Sequence, residues 1–152
     1  MKVIQKIYQD YQNLDNLLAL EEDKIRNRGS KQKTTEIQRK RYYNDQSTFL
    51  FLFSRFEGKV NDYSILLSSR KSQSARNSNL KRSSPWEIFD FDRISFMNKV
   101  ALLTRKGQTD YNLIYNYYQA RNEIAHGNFL YSSSSIAIIF QDLVRLYKSL
   151  KP

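Results

Sequence analysis

Glycine and proline are scarce in this chain, and their scarcity limits the architectures open to it. Only four glycines and two prolines occur among 152 residues, 40% of which are hydrophobic. These two residue types most often end helices and strands, so long uninterrupted elements are expected. A β-sandwich, which needs frequent turns, is disfavoured. The length fits one domain of ordinary size, which we expect to cover residues 1–152.

Apolar residues recur at three- and four-residue steps along much of the chain, as on one face of a helix. In a first stretch, from residue 3 to about residue 26, they are Ile4, Ile7, Tyr11, Leu14, Leu18 and Ile25. In a second stretch they are Phe49, Phe53, Phe56, Val60, Tyr63 and Leu67. Gly58 lies inside the second stretch, where glycine costs about 1 kcal/mol relative to alanine. We expect close approach of a neighbouring helix to explain this glycine.

Residues 68–84 differ in composition from the helices on either side. They contain seven serines, five basic residues and no acid, and Leu80 is their one large apolar residue. This composition predicts a flexible basic loop. A solvated connector and a segment that holds phosphates are equally supported interpretations. Under the second interpretation Arg76, Lys81 and Arg82 are the phosphate-binding candidates.

Helix signals return after this segment. Ser84-Pro85-Trp86-Glu87 has the order of a serine cap, a first-turn proline and a capping glutamate, and it predicts the start of a short element. Further helical patterns end near Gly107 and near Gly127, and a last one begins after four consecutive serines. Four principal helices and a short one, joined by mostly brief loops, predict an all-α bundle of four to five helices in an up-down arrangement.

The chain is strongly basic. Lysine and arginine total 25 against 15 acidic residues, which gives a formal charge of +10 and an isoelectric point near 9.8. A field of this sign favours polyanions such as nucleic acid. Solubility alone is the alternative explanation of the charge.

Cysteine is absent and histidine occurs once, which excludes several kinds of site. Disulfides, thiolate zinc sites and cysteine nucleophiles cannot form, and one chain cannot supply a multi-histidine metal centre. We expect neither a metal nor a cofactor. The longest apolar runs, residues 49–53 and 136–140, are far shorter than a membrane span, and the N-terminus lacks the apolar core of a secretion signal. We therefore expect a soluble cytoplasmic protein with no membrane partner.

Residues 111–127 carry the one segment with recognisable chemistry. At about 100° per residue, Leu113, Tyr117, Ala120 and Ile124 form a narrow stripe, which we predict to face the core. The single histidine, His126, falls on the other side. Asn122 precedes it by four residues, Tyr118 and Tyr115 continue the same row, and Arg121 flanks that row.

These side chains suit phosphodiester transfer by a ribose 2′-hydroxyl. A neutral imidazole accepts a proton near pH 7, a guanidinium holds a phosphate with paired donors, and an asparagine orients either group. Such chemistry needs no metal when side chains handle the protons and the phosphate charge. Because a chain has one imidazole, a symmetric dimer that apposes two such faces would supply a base and an acid together. The tyrosines suit a partly buried interface, or stacking on bases, for which Tyr118 is the candidate.

The run from Arg121 to His126 (RNEIAH) resembles the R-x4-6-H signature of the HEPN superfamily (higher eukaryotes and prokaryotes nucleotide-binding). Asn122 supplies the polar residue often found directly after the arginine. The segment FLFSRFEG at residues 51–58 is similar to an earlier helix of bacterial HEPN proteins, so the resemblance spans the region from the second helix to His126.

The resemblance implies an HEPN-like bundle of four or five helices that dimerises through the motif helix to form one cleft. It also implies a metal-independent endoribonuclease that acts as a toxin or in defence against phage and plasmids. By this carry-over His126 is the acid/base, Arg121 the phosphate ligand and Asn122 the orienting residue. Some members lack nuclease activity and bind RNA or a protein partner, which is the alternative function.

Regulation by an antitoxin or another protein is a further expectation from the resemblance. In one subgroup a tyrosine two residues after the histidine is adenylylated by the antitoxin. Asn128 occupies that position here, which argues against this form of control.

Glu57 and Arg55 are candidates for a supporting role in the second helix. Glu57 lies about 40° from the direction of Phe53, so we expect it to be partly buried and to pair with a basic group such as Arg121. A purely structural ion pair is the favoured interpretation. The basic run at residues 31–41 predicts a solvated helix start, with contact to the RNA backbone as the alternative.

Overall fold

The computed structural model of the chain describes residues 1–76, 93–128 and 133–151. Every regular element in these ranges is an α-helix, so the predicted all-α class is confirmed. The helices are α1 (Lys2–Asn27), α2 (Lys31–Arg76), α3 (Phe96–Leu103), α4 (Thr109–Ala125) and α5 (Ser133–Ser149). No helix within the described ranges has the length and apolar character needed to cross a bilayer. The up-down arrangement and the HEPN-like topology stay predictions.

The prediction of a loop over residues 68–84 is wrong at its start, because α2 continues to Arg76. Residues 68–76 contain neither glycine nor proline, and serine hydroxyls in this part of α2 bond back to the helix. Ser69 Oγ donates to the carbonyl of Ile65 at 3.0 Å, and Ser68 is only 8% exposed. Serine-rich composition therefore did not prevent helix formation. Residues 77–84, with Lys81, Arg82 and the start of the capping signal, lie outside the described residues.

Gly58 is exposed in the middle of α2. A Cβ built on it would meet no heavy atom within 4 Å beyond its own helix, among the residues that the structure describes. The predicted close approach of a neighbouring helix is therefore wrong, and the position has room for a side chain.

The chain divides into two compact units, and the first comprises Met1–Arg55 with Tyr117–Arg145. Its core combines aromatic and aliphatic side chains from four helices. The rings of Tyr8 and Phe140 stack at 4.0 Å with an interplanar angle of 7°, and Phe49 lies 5.9 Å from Phe53 and 6.2 Å from Tyr117. The buried apolar residues of this unit are Ile4, Tyr11, Ile37, Phe49, Leu52, Phe53, Tyr117, Ala120, Ile124, Ile136, Ile139 and Leu143.

Helices α1 and α2 form an antiparallel hairpin within this first unit. The turn between the two helices contains Gly29, whose φ of +72° lies in the left-handed region that glycine adopts without strain. Its N–H donates to the carbonyl of Arg26 at 2.9 Å. Tyr11 pairs with Asp45, and Asp15 pairs with Arg41. Residue numbers therefore increase along α1 in the direction in which they decrease along α2, as in an antiparallel pair.

The second unit comprises Phe56–Asn116 and Leu146–Pro152. Two lysines make side-chain contacts between helices of this unit. Lys99, only 8% exposed, donates through Nζ to Asn61 Oδ1 at 3.1 Å. Lys59 Nζ lies 4.2 Å from the ring centre of Tyr63 and 3.8 Å from that of Tyr147, a distance at which cation–π attraction acts. The buried apolar residues among the described part of this unit are Phe56, Val60, Val100, Ile114, Leu146 and Leu150.

Candidate functional site

Helix α4 presents one apolar side to the core, as its sequence pattern predicts. Tyr117, Ala120 and Ile124 are 7%, 5% and 6% exposed, which confirms three of the four predicted positions. Leu113 is only half-buried, and Ile114 is fully buried in its place. The Tyr117 hydroxyl donates to Asp142 Oδ2 of α5 at 2.6 Å, so this ring is held by a hydrogen bond as well as by packing.

Arg121 and Asn122 lie in the last turns of α4, and both are half-buried. Arg121 Nη1 donates to Asn122 Oδ1 at 3.1 Å. Asn122 therefore contacts the arginine directly, and its orienting role stays a prediction.

His126 is the first residue after α4 and is exposed. Its N–H donates to the carbonyl of Asn122 at 3.0 Å, which places it at the helix C-cap. Gly127 follows with a φ of +89°, and its N–H donates to the carbonyl of Ile124 at 3.0 Å. Asn128 N–H donates to the carbonyl of Glu123 at 2.9 Å, which completes a Schellman motif. The backbone that carries the imidazole is thus fixed by three hydrogen bonds.

A side-chain contact spans the same turn. Asn128 Nδ2 donates to Glu123 Oε2 at 2.6 Å, alongside the backbone bond between the same two residues. Asn128 thus closes the turn that carries the histidine.

The tyrosines of α4 differ in exposure. Tyr115 is 45% exposed, whereas Tyr111 and Tyr118 are half-buried. Tyr115 is therefore the most exposed ring of the three. The stacking role of Tyr118 and dimerisation through α4 stay predictions.

The other sequence-predicted site residues lie apart from this turn in sequence. In α2, Arg55 is exposed and Glu57 is half-buried. The predicted pairing of Glu57 with Arg121 is untested and stays a prediction. Arg76 is the last residue of α2, whereas Lys81 and Arg82 fall outside the described residues.

A polar network that the sequence pattern did not predict joins α1 to α2. Arg41 donates to both carboxylate oxygens of Asp15, through Nε at 2.8 Å and Nη2 at 3.1 Å, and through Nη1 to Glu22 Oε2 at 2.9 Å. Glu22 Oε1 also accepts from Gln38 Nε2 at 2.8 Å and from Arg26 Nη2 at 2.6 Å. One signal in the sequence could have indicated this network: Tyr11 and the acidic residues of α1 recur at helical spacing on one side of the helix.

The same network shifts several pKa values. The hydrogen bonds from Gln38 and then Arg41 hold the pKa of Glu22 below its usual range, and the bond to Asp15 raises the pKa of Arg41. Asp45 is only 3% exposed and accepts a hydrogen bond from the Tyr11 hydroxyl at 2.9 Å. Burial raises the pKa of Asp45 to about 6. Burial and the hydrogen bond to Asp45 raise the pKa of Tyr11 above its usual range.

An open groove of about 840 Å³ lies in the second unit, around the turn between α3 and α4. Arg105, Gln108, Asn112 and Asn116 line it, and none of the motif residues 121–126 does. Its position therefore gives no support to a role in the chemistry considered for His126.

No family model matches the chain, and neither a curated protein nor a solved structure is significantly similar to it.

Proposed function

We propose that the protein is a metal-independent endoribonuclease that cleaves RNA at a composite site built by two chains. The observation that carries this proposal is the last turn of α4, where the Arg121 guanidinium is bonded to Asn122 and an exposed imidazole follows at the helix cap. A base, an anion ligand and an orienting amide thus occur within six residues. The resemblance to HEPN proteins points to the same chemistry.

The proposed reaction is an attack of the ribose 2′-oxygen on the adjacent phosphorus. One neutral imidazole removes the 2′-hydroxyl proton while the new O–P bond forms. The bond from phosphorus to the 5′-oxygen breaks, and a protonated imidazole gives that oxygen its proton. The products are a 2′,3′-cyclic phosphate and a 5′-hydroxyl. Arg121 donates hydrogen bonds to the non-bridging oxygens, where negative charge increases in the transition state.

Two chains are required because this reaction uses two imidazoles and the sequence contains one. A two-fold axis that brings the C-terminal ends of two α4 helices together places the two His126 side chains on either side of one phosphate. The partly exposed Tyr115 gives such a pair apolar surface to bury.

Basic residues outside the motif supply general attraction for RNA. Arg70 and Lys71 are exposed near the end of α2, where the sequence stays basic through Arg76, Lys81 and Arg82. Contacts of this kind bind phosphates without reading sequence and weaken as salt rises. Unpaired RNA is the expected substrate class, because its 2′-hydroxyl reaches an in-line geometry more easily. A toxin or defence role under the control of a second protein completes the proposal.

The test is cleavage of an unstructured RNA in excess EDTA by the wild-type protein and by His126→Ala. We expect cyclic-phosphate ends and a fall of roughly 10²- to 10⁴-fold in rate for the variant. Gln119→Ala is the matched control, because Gln119 is an exposed residue of α4, and this variant should keep full activity. An equal rate for His126→Ala and wild type would refute the proposal. RNA binding with no cleavage by wild type would instead favour the non-enzymatic binding module.

A further inference from the structure

The α1–α2 hairpin continues beyond the aromatic core of the first unit as a two-helix arm, residues 12–44. Only two of its 33 residues, Glu22 and Ile37, are buried, whereas eight of the 16 residues that follow in α2 are buried. Among the described residues, the arm is therefore held together mainly by contacts between its own two helices, such as those of Arg41 with Asp15 and Glu22.

The far end of the arm is strongly basic. Its residues 24–35, the basic tip, comprise the last turn of α1, the connecting turn and the start of α2. This stretch contains five basic residues and no acid, with Asp23 and Glu36 just outside it. The basic residues are all exposed, and they are Lys24, Arg26, Arg28, Lys31 and Lys33. A cluster of one sign at the end of an arm gives a local positive potential in the surrounding water.

The next layer of the arm carries nearly balanced charge. Glu22 accepts hydrogen bonds from Gln38 and Arg41, so residues 21–23 of α1 lie level with this part of α2. Three acids at residues 21–23 and one at residue 36 stand there against three basic residues at 39–41. The positive charge of the arm is thus concentrated in the basic tip.

The ion pairs of the arm divide its cations into two groups. Arg26 reaches back to Glu22 at 2.6 Å, and Lys40 pairs with Glu36 at 3.4 Å. Within the ranges that the structure describes, the other four cations of the basic tip take part in no ion pair. These unpaired cations are Lys24, Arg28, Lys31 and Lys33.

The remaining side chains of the basic tip indicate the class of partner. No aliphatic or aromatic residue occurs from residue 26 to residue 36, and two exposed amides, Asn27 and Gln32, stand between the cations. Protein interfaces depend on aromatic and aliphatic residues, and a peripheral membrane site needs apolar side chains that enter the bilayer. Phosphate and ribose groups, by contrast, are bound by arginine, lysine and neutral amides. The composition of the basic tip therefore fits a nucleic-acid backbone.

We propose that the basic tip is an RNA-binding site whose unpaired cations contact phosphates without reading base sequence. It differs from the run at residues 31–41 that the sequence indicated, because Lys40 and Arg41 are engaged in ion pairs within the arm. The choice of RNA among nucleic acids rests on the proposed function. The site itself shares no residue with the motif turn of α4.

The first test measures binding of a fluorescent 2′-O-methyl oligouridine, which has no 2′-hydroxyl and so cannot be cut by the proposed reaction. One variant neutralises three cations of the basic tip, and the matched control neutralises three exposed lysines elsewhere, so that both lose the same net charge. The tip variant is Arg28→Gln/Lys31→Gln/Lys33→Gln, and the control is Lys2→Gln/Lys6→Gln/Lys106→Gln.

The two variants should differ in affinity and in salt dependence. Loss of three phosphate contacts should lower the slope of log K against log salt by about two and weaken binding by about 10- to 100-fold at about 0.1 M salt. The control should bind within about threefold of wild type, because its lysines contact no phosphate. Circular dichroism checks that both variants stay folded. Equal losses for the two variants would show that net charge alone attracts RNA and would overturn the proposal.

The second test locates the bound oligonucleotide while the charges of the basic tip stay intact. The sequence contains no cysteine, so Gln32→Cys and Gln5→Cys each introduce one thiol, in the basic tip and near the other end of α1. With benzophenone maleimide attached, irradiation should join the oligonucleotide to residue 32. Residue 5, about 33 Å from Asn27 along α1, should stay unlinked. Equal linking at both positions, or none at residue 32, would refute the site.

Binding to lipid is the competing outcome. Vesicles of phosphatidylcholine and phosphatidylserine that bind wild type and not the tip variant, together with no binding of the oligonucleotide, would make the tip a membrane site and the proposal wrong.

The tests also separate this site from the nuclease. A protein that binds the oligonucleotide through the basic tip but cuts no RNA keeps this site and loses the proposed function. A nuclease whose tip variant and control bind equally well keeps its function and loses the site.

Discussion

Asp45 is a buried acid whose ionisation opposes folding, and replacing it by asparagine should stabilise the protein at neutral pH. The carboxyl group is 3% exposed, and burial raises its pKa from 3.8 to about 6. A difference of about two pKa units corresponds to about 3 kcal/mol of free energy between the two protonation states. The amide of Asp45→Asn keeps an oxygen that accepts from the Tyr11 hydroxyl, and it carries no charge. It also loses the attraction to Arg41, so we expect a net gain of about 1–3 kcal/mol at pH 7.5.

The gain should depend on pH in a defined direction. The folded state holds the Asp45 proton more tightly than the unfolded state, so the contribution of this group to stability is greatest below about pH 4. It is lost as the pH rises through about 6. Asp45→Asn should therefore match wild type at pH 4 and exceed it above pH 6. Taking the difference between the two proteins at each pH removes the opposite contribution of Glu22, whose pKa is lowered.

The assay is urea unfolding followed by circular dichroism at a series of pH values. Asp15→Asn is the matched control, because Asp15 accepts two hydrogen bonds from Arg41 and its replacement should destabilise the protein. A variant at residue 45 that is less stable than wild type at pH 7.5 would refute the reasoning. So would a stability difference that is constant between pH 4 and pH 8.

Three further substitutions have expected outcomes. Gly58→Ala should stabilise the protein by about 0.5–1 kcal/mol in denaturant unfolding, since a Cβ there meets no neighbour among the described residues; a loss of stability would contradict this. Arg41→Met should destabilise it by about 3 kcal/mol, because half-buried Asp15 loses both hydrogen bonds from Arg41 and buried Glu22 loses one of its three; an unchanged midpoint would contradict this. Arg121→Lys should lower the rate of single-turnover cleavage by on the order of 10²-fold, because lysine lacks the planar guanidinium with its paired donors. RNA binding measured by filter retention should change little. Full activity of this variant would show that Arg121 contributes only its charge.

Apolar spacing predicted the buried face of α2 but only part of that of α1, whose Leu14 is 45% exposed. Phe49, Phe53, Phe56 and Val60 are all fully buried, as their three- and four-residue steps indicate. The pattern fixes a face only to within about one residue, however. Ile114 rather than Leu113 is the buried position in α4, because one step of about 100° separates the two directions and both residues are apolar.

Features that depend on pairing between helices were not predictable from one sequence. The contacts of Arg41 with Asp15 and Glu22 require the register of α1 against α2, which the turn at Gly29 sets. The composition of residues 68–76 misled the prediction, because serine-rich segments form loops or helices according to what their hydroxyls contact.

In the candidate site, too, helical spacing predicted some features and not others. Placing Asn122 and Arg121 on the polar side of α4 required only helical geometry. A helical wheel treats His126 as part of the helix, whereas the structure places it at the cap, where Gly127 turns the chain. The glycine after the histidine was the available signal for this ending.

In the proposed reaction two copies of His126 act on one phosphate, and activity after chain mixing shows whether both are needed. Wild-type and His126→Ala proteins are unfolded in urea, mixed in known ratios and refolded, so that dimers form statistically. If both imidazoles are required, activity follows the square of the wild-type fraction and falls to about one quarter in an equal mixture. Activity proportional to the wild-type fraction, about one half in that mixture, would contradict the composite site.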